Sequence, residues 1–229
     1  MTICLVTDRR RLSGGRATLV EARRCLVVQA RHAVAAGIHL IQLRERDLEA
    51  ADLAAVARDL LAVTRGTATR LVVNDRLDVA LACGADGVHL RSDSIPVVEA
   101  RRIAPKGFLI GRSVHGVDAA AQAAGADYLV AGTLFPTASK PASHALLGLD
   151  GLRAIVSAAR APVLAIGGIT PAQCDAVAAA GAAGIAAIGL FMAAGAELRA
   201  SDRPPCGAVP LVDIVDRARL RFDSVLRRP

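Results

Sequence analysis

Aromatic residues are nearly absent from this chain. Tryptophan is missing, tyrosine occurs once, and Phe, Trp and Tyr together make up 2% of 229 residues. Proteins that hold single-stranded nucleic acid stack bases on aromatic rings, so the net charge of +7 does not point there, and the basic residues are scattered along the chain. A positive field that draws in small anionic substrates explains the charge better. With 53% apolar residues and hardly a ring among them, the core is expected to be Ala, Val, Leu and Ile, the composition of parallel strands covered by helices. CxxC pairs and Cys/His clusters are lacking as well: the five cysteines, at 4, 25, 83, 174 and 206, are odd in number and widely spaced. They are expected as buried thiols in a reducing compartment. Residues 1–8 show no basic leader and no long apolar run, so neither a secretion signal nor a membrane span is expected, and the expected location is the cytoplasm. No linker or low-complexity stretch divides the chain, which leaves one domain over residues 1–229, with 201–229 a loop and a C-terminal helix closing it.

What is present is a phrase that recurs. Ala35-Ala36-Gly37-Ile38-His39-Leu40-Ile41 returns as Ala82-Cys83-Gly84-Ala85-Asp86-Gly87-Val88, as Ala123-Ala124-Gly125-Ala126-Asp127-Tyr128-Leu129, and as Ala179-Ala180-Gly181-Ala182-Ala183-Gly184-Ile185. Each copy reads as a helix end, a glycine suited to a left-handed cap, and a short apolar strand. Between the copies lie further apolar runs at 3–7, 70–74, 108–112 and 162–166, each followed by a polar or glycine-bearing turn. Helical periodicity occupies 21–36, 48–65, 76–83, 96–104, 117–124, 149–159, 171–180 and 209–226. Eight strands alternating with eight helices give an α/β chain and predict a (β/α)8 barrel, a TIM barrel; an open doubly wound sheet is the competing arrangement.

In such a barrel the chemistry gathers where the strands end. Gly132 to Lys140 follows a strand and cannot continue it, because glycine and proline interrupt it. Its Thr137, Ser139 and Lys140 suit a phosphate or carboxylate, or else form a polar turn. Gly167-Gly168 before Thr170, with Gly189 at the next strand end, offers bare backbone N–H groups for an anion. Arg44 and Arg46 face one side of an extended segment and with Lys140 make a second cationic pocket, unless Glu45 and Asp47 pair with them. Asn74-Asp75 is a candidate Mg2+ pair, or Asp75 caps the next helix. His115 is an acid/base candidate or a plain helix-start histidine.

Taken together these residues resemble a known family. Gln42-Leu43-Arg44-Glu45, Val73-Asn74-Asp75-Arg76, Gly84 to Leu90, Ser113-Val114-His115, Phe135 to Lys140, Gly148 to Leu152 and Ile166-Gly167-Gly168-Ile169 occur in the order found in thiamine phosphate synthase and its relative, the TenI-type thiazole tautomerase. The matches run to Leu190. The resemblance implies a transferase of thiamine biosynthesis that joins hydroxymethylpyrimidine pyrophosphate to thiazole phosphate and releases pyrophosphate. It implies Gln42, Arg44, Asn74, Ser113 and Lys140 on the pyrimidine pyrophosphate, Thr137, Ser139 and Gly168 on the thiazole phosphate, and Asp75 on Mg2+. Three departures stand out. Arg46 replaces a Lys, Gly189 replaces a Ser, and Ser94 replaces the second metal-binding Asp, leaving Asp93 next to it as the stand-in ligand. Loss of a carboxylate weakens an Mg2+ site and makes the tautomerase, in which His115 would move a proton, the second reading after the synthase; a non-catalytic binder of phosphorylated ligands is the third. The expected partners are small phosphorylated substrates and, in a homo-oligomer, further copies of the chain. Nucleic acid and membrane are not expected.

Overall fold

The computed structural model describes residues 1–137, 143, 145–192 and 211–226. Eight strands, β1 (Thr2–Val6), β2 (Leu40–Leu43), β3 (Arg70–Asn74), β4 (Gly87–Leu90), β5 (Leu109–Val114), β6 (Tyr128–Ala131), β7 (Val163–Ile166) and β8 (Gly184–Ala187), pair in parallel and in chain order. β8 closes on β1 through the Thr2↔Gly184 and Cys4↔Ala186 register. The chain is therefore a TIM barrel, and the open-sheet alternative is excluded. Among the described residues, no helix is long and apolar enough to cross a membrane.

Among the described residues the α-helices are α1 (Arg9–Ser13), α2 (Leu19–Ala35), α3 (Ala50–Thr64), α4 (Leu77–Cys83), α5 (Val97–Ile103), α6 (Val117–Gln122), α7 (Gly148–Ala158), α8 (Cys174–Ala179) and α9 (Leu211–Leu226). The glycine of the recurring phrase does what its position requires at Gly84, which ends α4 in the left-handed conformation. Two elements differ from expectation. α1 was not anticipated: Asp8 caps it by accepting from the Arg11 N–H at 3.1 Å, and five residues are too few to show a helical period. The helix expected over 171–180 begins instead as a 3-10 turn, Pro171–Gln173, with Thr170 and Gln173 forming a capping box before α8.

Successive strand residues alternate between helix-facing and barrel-facing positions. Ile3, Leu5, Ile41, Leu43, Leu71, Val73, Val88 and Leu90 pack outward under the helices. Cys4, Val6, Leu40, Val72, Tyr128, Val130, Leu164 and Ala186 fill the barrel interior. The single tyrosine fits because its neighbour in register, Gly111, has no side chain. A Cβ on Gly111 would lie 2.2 Å from the Tyr128 ring and 2.6 Å from His89 Nδ1. Gly111→Ala is therefore expected to cost about 1–3 kcal/mol through overpacking, read as a lower urea midpoint at unchanged slope; an unaltered midpoint would show that the interior yields here.

Candidate functional site

A cavity of about 1080 Å3 opens at the carboxyl ends of the strands. Its floor is a polar layer one step above the apolar barrel interior: Gln42 on β2, Asn74 on β3, His89 on β4 and Ser113 on β5. Gln42 Nε2 donates to Asn74 Oδ1 at 3.1 Å, which leaves the Gln42 carbonyl and the Asn74 amide NH2 to address a ligand. Ser113 lies inside β5, which extends to Val114, rather than after it. Its Oγ is 2.9 Å from His89 Nε2, and His89 Nδ1 is 3.2 Å from the Tyr128 hydroxyl. His89 is 2% exposed. Burial, aided by the Arg112 cation, pushes its pKa down to about 3, so the imidazole is neutral and serves as a hydrogen-bonding spacer that fixes Ser113.

Arg44 and Arg46 both line the cavity, but their acidic neighbours do not pair with them. Glu45 turns away and is 5% exposed. It accepts from Thr7 Oγ1 at 2.7 Å and from the Arg9 backbone and guanidinium, each at 3.0 Å. Burial raises the Glu45 carboxyl, and the Thr7 and Arg9 hydrogen bonds oppose that rise. Asp47 is bound by Arg9 and Arg10, each at 2.6 Å. Among the described residues no carboxylate pairs with Arg44 or Arg46 at close range. Burial and then the Arg46 charge lower the Arg44 pKa, and the Asp8 and Glu45 carboxylates offset that only in part.

The opposite wall is backbone. Gly167 and Gly168 have φ of 108° and 63°, and a Cβ on Gly168 would come within 2.3 Å of the Pro136 carbonyl. Only glycine lets the β6 and β7 loops approach this closely. Gly189, Thr137 and His115 line the same cavity. His115 Nδ1 lies 2.5 Å from the Gly132 carbonyl, an acceptor only, so Nδ1 donates this bond. Ser139 and Lys140 lie outside the described residues.

Asp75 follows β3 with φ 64°, a left-handed conformation that Asp tolerates better than most residues. It does not cap α4, whose N-cap is Arg76. Its carboxylate is engaged by the Ser94 hydroxyl and, at 3.3 Å, by Arg91 Nη1. The other end of Arg91 pairs with Asp93. Among the described residues no group of three or more His, Cys, Asp or Glu side chains is placed to hold a metal ion.

Sequence reasoning assigned no role to His89, Arg91, Arg11 or Arg217, all of which line the cavity. The inward phase of β4 was a usable signal for His89. Arg11 and Arg217 arrive on α1 and α9, from opposite ends of the chain, and carried no signal.

A closed parallel barrel with a large cavity at its strand ends, into which amide, hydroxyl and guanidinium groups converge, defines an enzyme of the (β/α)8 class. The family model described as thiamine monophosphate synthase matches residues 4–191. A thiamine-phosphate synthase from Methanoculleus marisnigri is 48% identical over 168 residues, 72% of this chain and 80% of its own length. One from Moorella thermoacetica is 39% identical over 211 residues, 91% of this chain and 93% of its own. The structure of thiamine phosphate pyrophosphorylase from Pyrococcus furiosus superposes with a TM-score of 0.75 at 32% identity, covering 98% of this chain and 96% of that one. The chain belongs to the thiamine monophosphate synthase family.

Proposed function

We propose that this enzyme is a thiamine-phosphate synthase, coupling hydroxymethylpyrimidine pyrophosphate to thiazole phosphate. The observation that carries the proposal is the pair Arg44 and Arg46 facing the cavity while Glu45 and Asp47 are bound elsewhere. In the reaction, the C–O bond of the pyrimidine-methyl ester breaks and its electron pair leaves on pyrophosphate. The thiazole nitrogen lone pair then forms the new C–N bond, and no proton changes hands. The protein has to place two rings and stabilise charge on a leaving group. Arg44 and Arg46 meet the pyrophosphate. The Gln42–Asn74 amide pair and Ser113, held by His89, orient the pyrimidine. Thr137 and the Gly167, Gly168 and Gly189 backbone receive the thiazole phosphate, and Ser139 and Lys140 are assigned by resemblance. The four described cysteines are free thiols, which supports action in the reducing cytoplasm.

A second reading is favoured by one observation: His115 lines the cavity with its ring anchored through Nδ1 on the Gly132 carbonyl, a placement that would suit proton transfer in a thiazole tautomerase. Purified protein given both synthase substrates is expected to form thiamine phosphate and pyrophosphate in equal amounts, and His115→Ala to keep more than half of that rate. Failure to form thiamine phosphate, with isomerisation of thiazole carboxylate phosphate that His115→Ala abolishes, would establish the tautomerase instead. Failure of both, with thiazole phosphate still bound, would leave a binding protein.

A further inference from the structure

The place where the resemblance puts a divalent ion has a donor set that does not fit one. Mg2+ requires near-octahedral oxygen ligands at about 2.0–2.1 Å. Here one Asp75 oxygen accepts the Ser94 hydroxyl and the other faces Arg91 Nη1 at 3.3 Å. Asp93, the neighbouring carboxylate, pairs with Nη2 of the same guanidinium. The arrangement is tied together: the Arg91 backbone N–H donates to Ser94 Oγ at 2.8 Å, so the residue that supplies the guanidinium also orients the hydroxyl. Arg112 donates to the carbonyls of Ser92 at 3.0 Å and Ile95 at 2.7 Å, which holds the loop over β4 and β5. Its charge also acts on both Asp75 and Asp93. Two guanidiniums thus balance two carboxylates, as one divalent ion would. An ion entering here would have to displace Arg91 and leave it beside Arg44 and Arg46 without its counter-charges.

The geometry points to Arg91 as a resident cation that replaces the divalent ion, so that the pyrophosphate group is bound without metal by Arg91 together with Arg44 and Arg46. This inference rests on the synthase reading for the identity of the ligand. Arg91 and Asp93 line the same cavity as Arg44 and Arg46, and of the five N–H donors of a guanidinium Asp75 and Asp93 take one each, which leaves others for phosphate oxygens. Because Asp75 and Asp93 hold the fork in place, little ordering is needed when the ligand arrives.

Titration calorimetry with inorganic pyrophosphate, in EDTA and in excess Mg2+, tests the inference directly. The affinity for total pyrophosphate is expected to be no more than about threefold better with Mg2+, and Arg91→Ala to weaken binding by about tenfold or more in EDTA. Arg91→Lys, which keeps the charge and protects the fold, is expected to fall between the two. The double variant R91G/S94D removes the guanidinium and supplies a second carboxylate; it is expected to bind pyrophosphate poorly in EDTA and to recover in Mg2+. Wild-type binding that appears only with Mg2+, no binding in either condition, or an Arg91→Ala variant that binds like wild type would each overturn the inference. Thiamine phosphate formation, assayed in parallel, separates the two claims. Metal-free pyrophosphate binding through Arg91 without product sinks the synthase reading alone, whereas product that strictly requires Mg2+ sinks this inference alone.

Discussion

Arg44→Ala is expected to lower kcat/KM by about 100- to 1000-fold, the range seen when one donor to a developing negative charge is removed. The loss should fall on kcat as well as KM, because the pyrophosphate carries more negative charge once its C–O bond breaks than it does in the bound ester. Folding stability should not fall with it. The Arg44 side chain has no ion pair among the described residues, and burial already lowers its pKa. In the empty enzyme it is therefore a desolvated charge whose removal relieves a cost. Arg44→Lys restores charge without the two-pronged donor and should recover only part of the rate. Steady-state kinetics and a thermal melt on the same preparations decide the matter. A variant that loses activity and melting temperature together would make Arg44 a structural residue and remove the main support for a pyrophosphate pocket.

The barrel was legible because its signals are local. Each Ala-Ala-Gly or Ala-Cys-Gly phrase joins a helix end to a strand within a few residues, and the apolar runs between them are uninterrupted. Gln42, Asn74 and Ser113 could be placed at strand ends for the same reason, although Ser113 proved to lie within β5. Pairing over long separations was not legible. Glu45 and Asp47 sit beside Arg44 and Arg46 in the chain, so ion pairs among these four were a natural alternative. The parallel register of β1 and β2 instead brings Arg9 and Arg10 to the two carboxylates. Tyr128 and His89 are 39 residues apart, and only the missing side chain of Gly111 lets them meet. Ser94 was recognised as a departure from the family pattern. That Arg91, three residues earlier, fills the space between Asp75 and Asp93 depends on the fold of the loop after β4, which no local pattern encodes.

Between pH 7 and pH 4 the protein is expected to lose about 3 kcal/mol more folding stability than a His89→Gln variant. In the unfolded chain His89 takes up a proton near pH 6.5; in the fold, burial holds its pKa near 3. Between those values the unfolded state binds more protons, so stability falls as pH falls. The contribution is present in full above about pH 6.5 and is lost progressively toward pH 3. The side chain is fully buried, so solvent screens this difference little, and about 3 kcal/mol is a large share of the 5–15 kcal/mol typical of a domain. Asp47 and Asp78, whose pKa values are lowered chiefly by hydrogen bonds from Arg9 and Arg76, also lose stabilisation in acid. They do so in both proteins, and mainly below their unfolded pKa of about 4, so the comparison cancels them. Gln keeps a polar group between Ser113 and Tyr128 but has no proton to gain. Urea unfolding of the two proteins at pH 7, 5.5 and 4 provides the measurement. Parallel stability profiles would mean that the imidazole protonates in the fold as readily as outside it, and His89 would then be no neutral spacer for Ser113. Diverging profiles would tie the acid limit of the fold to the contact that positions the floor of the site.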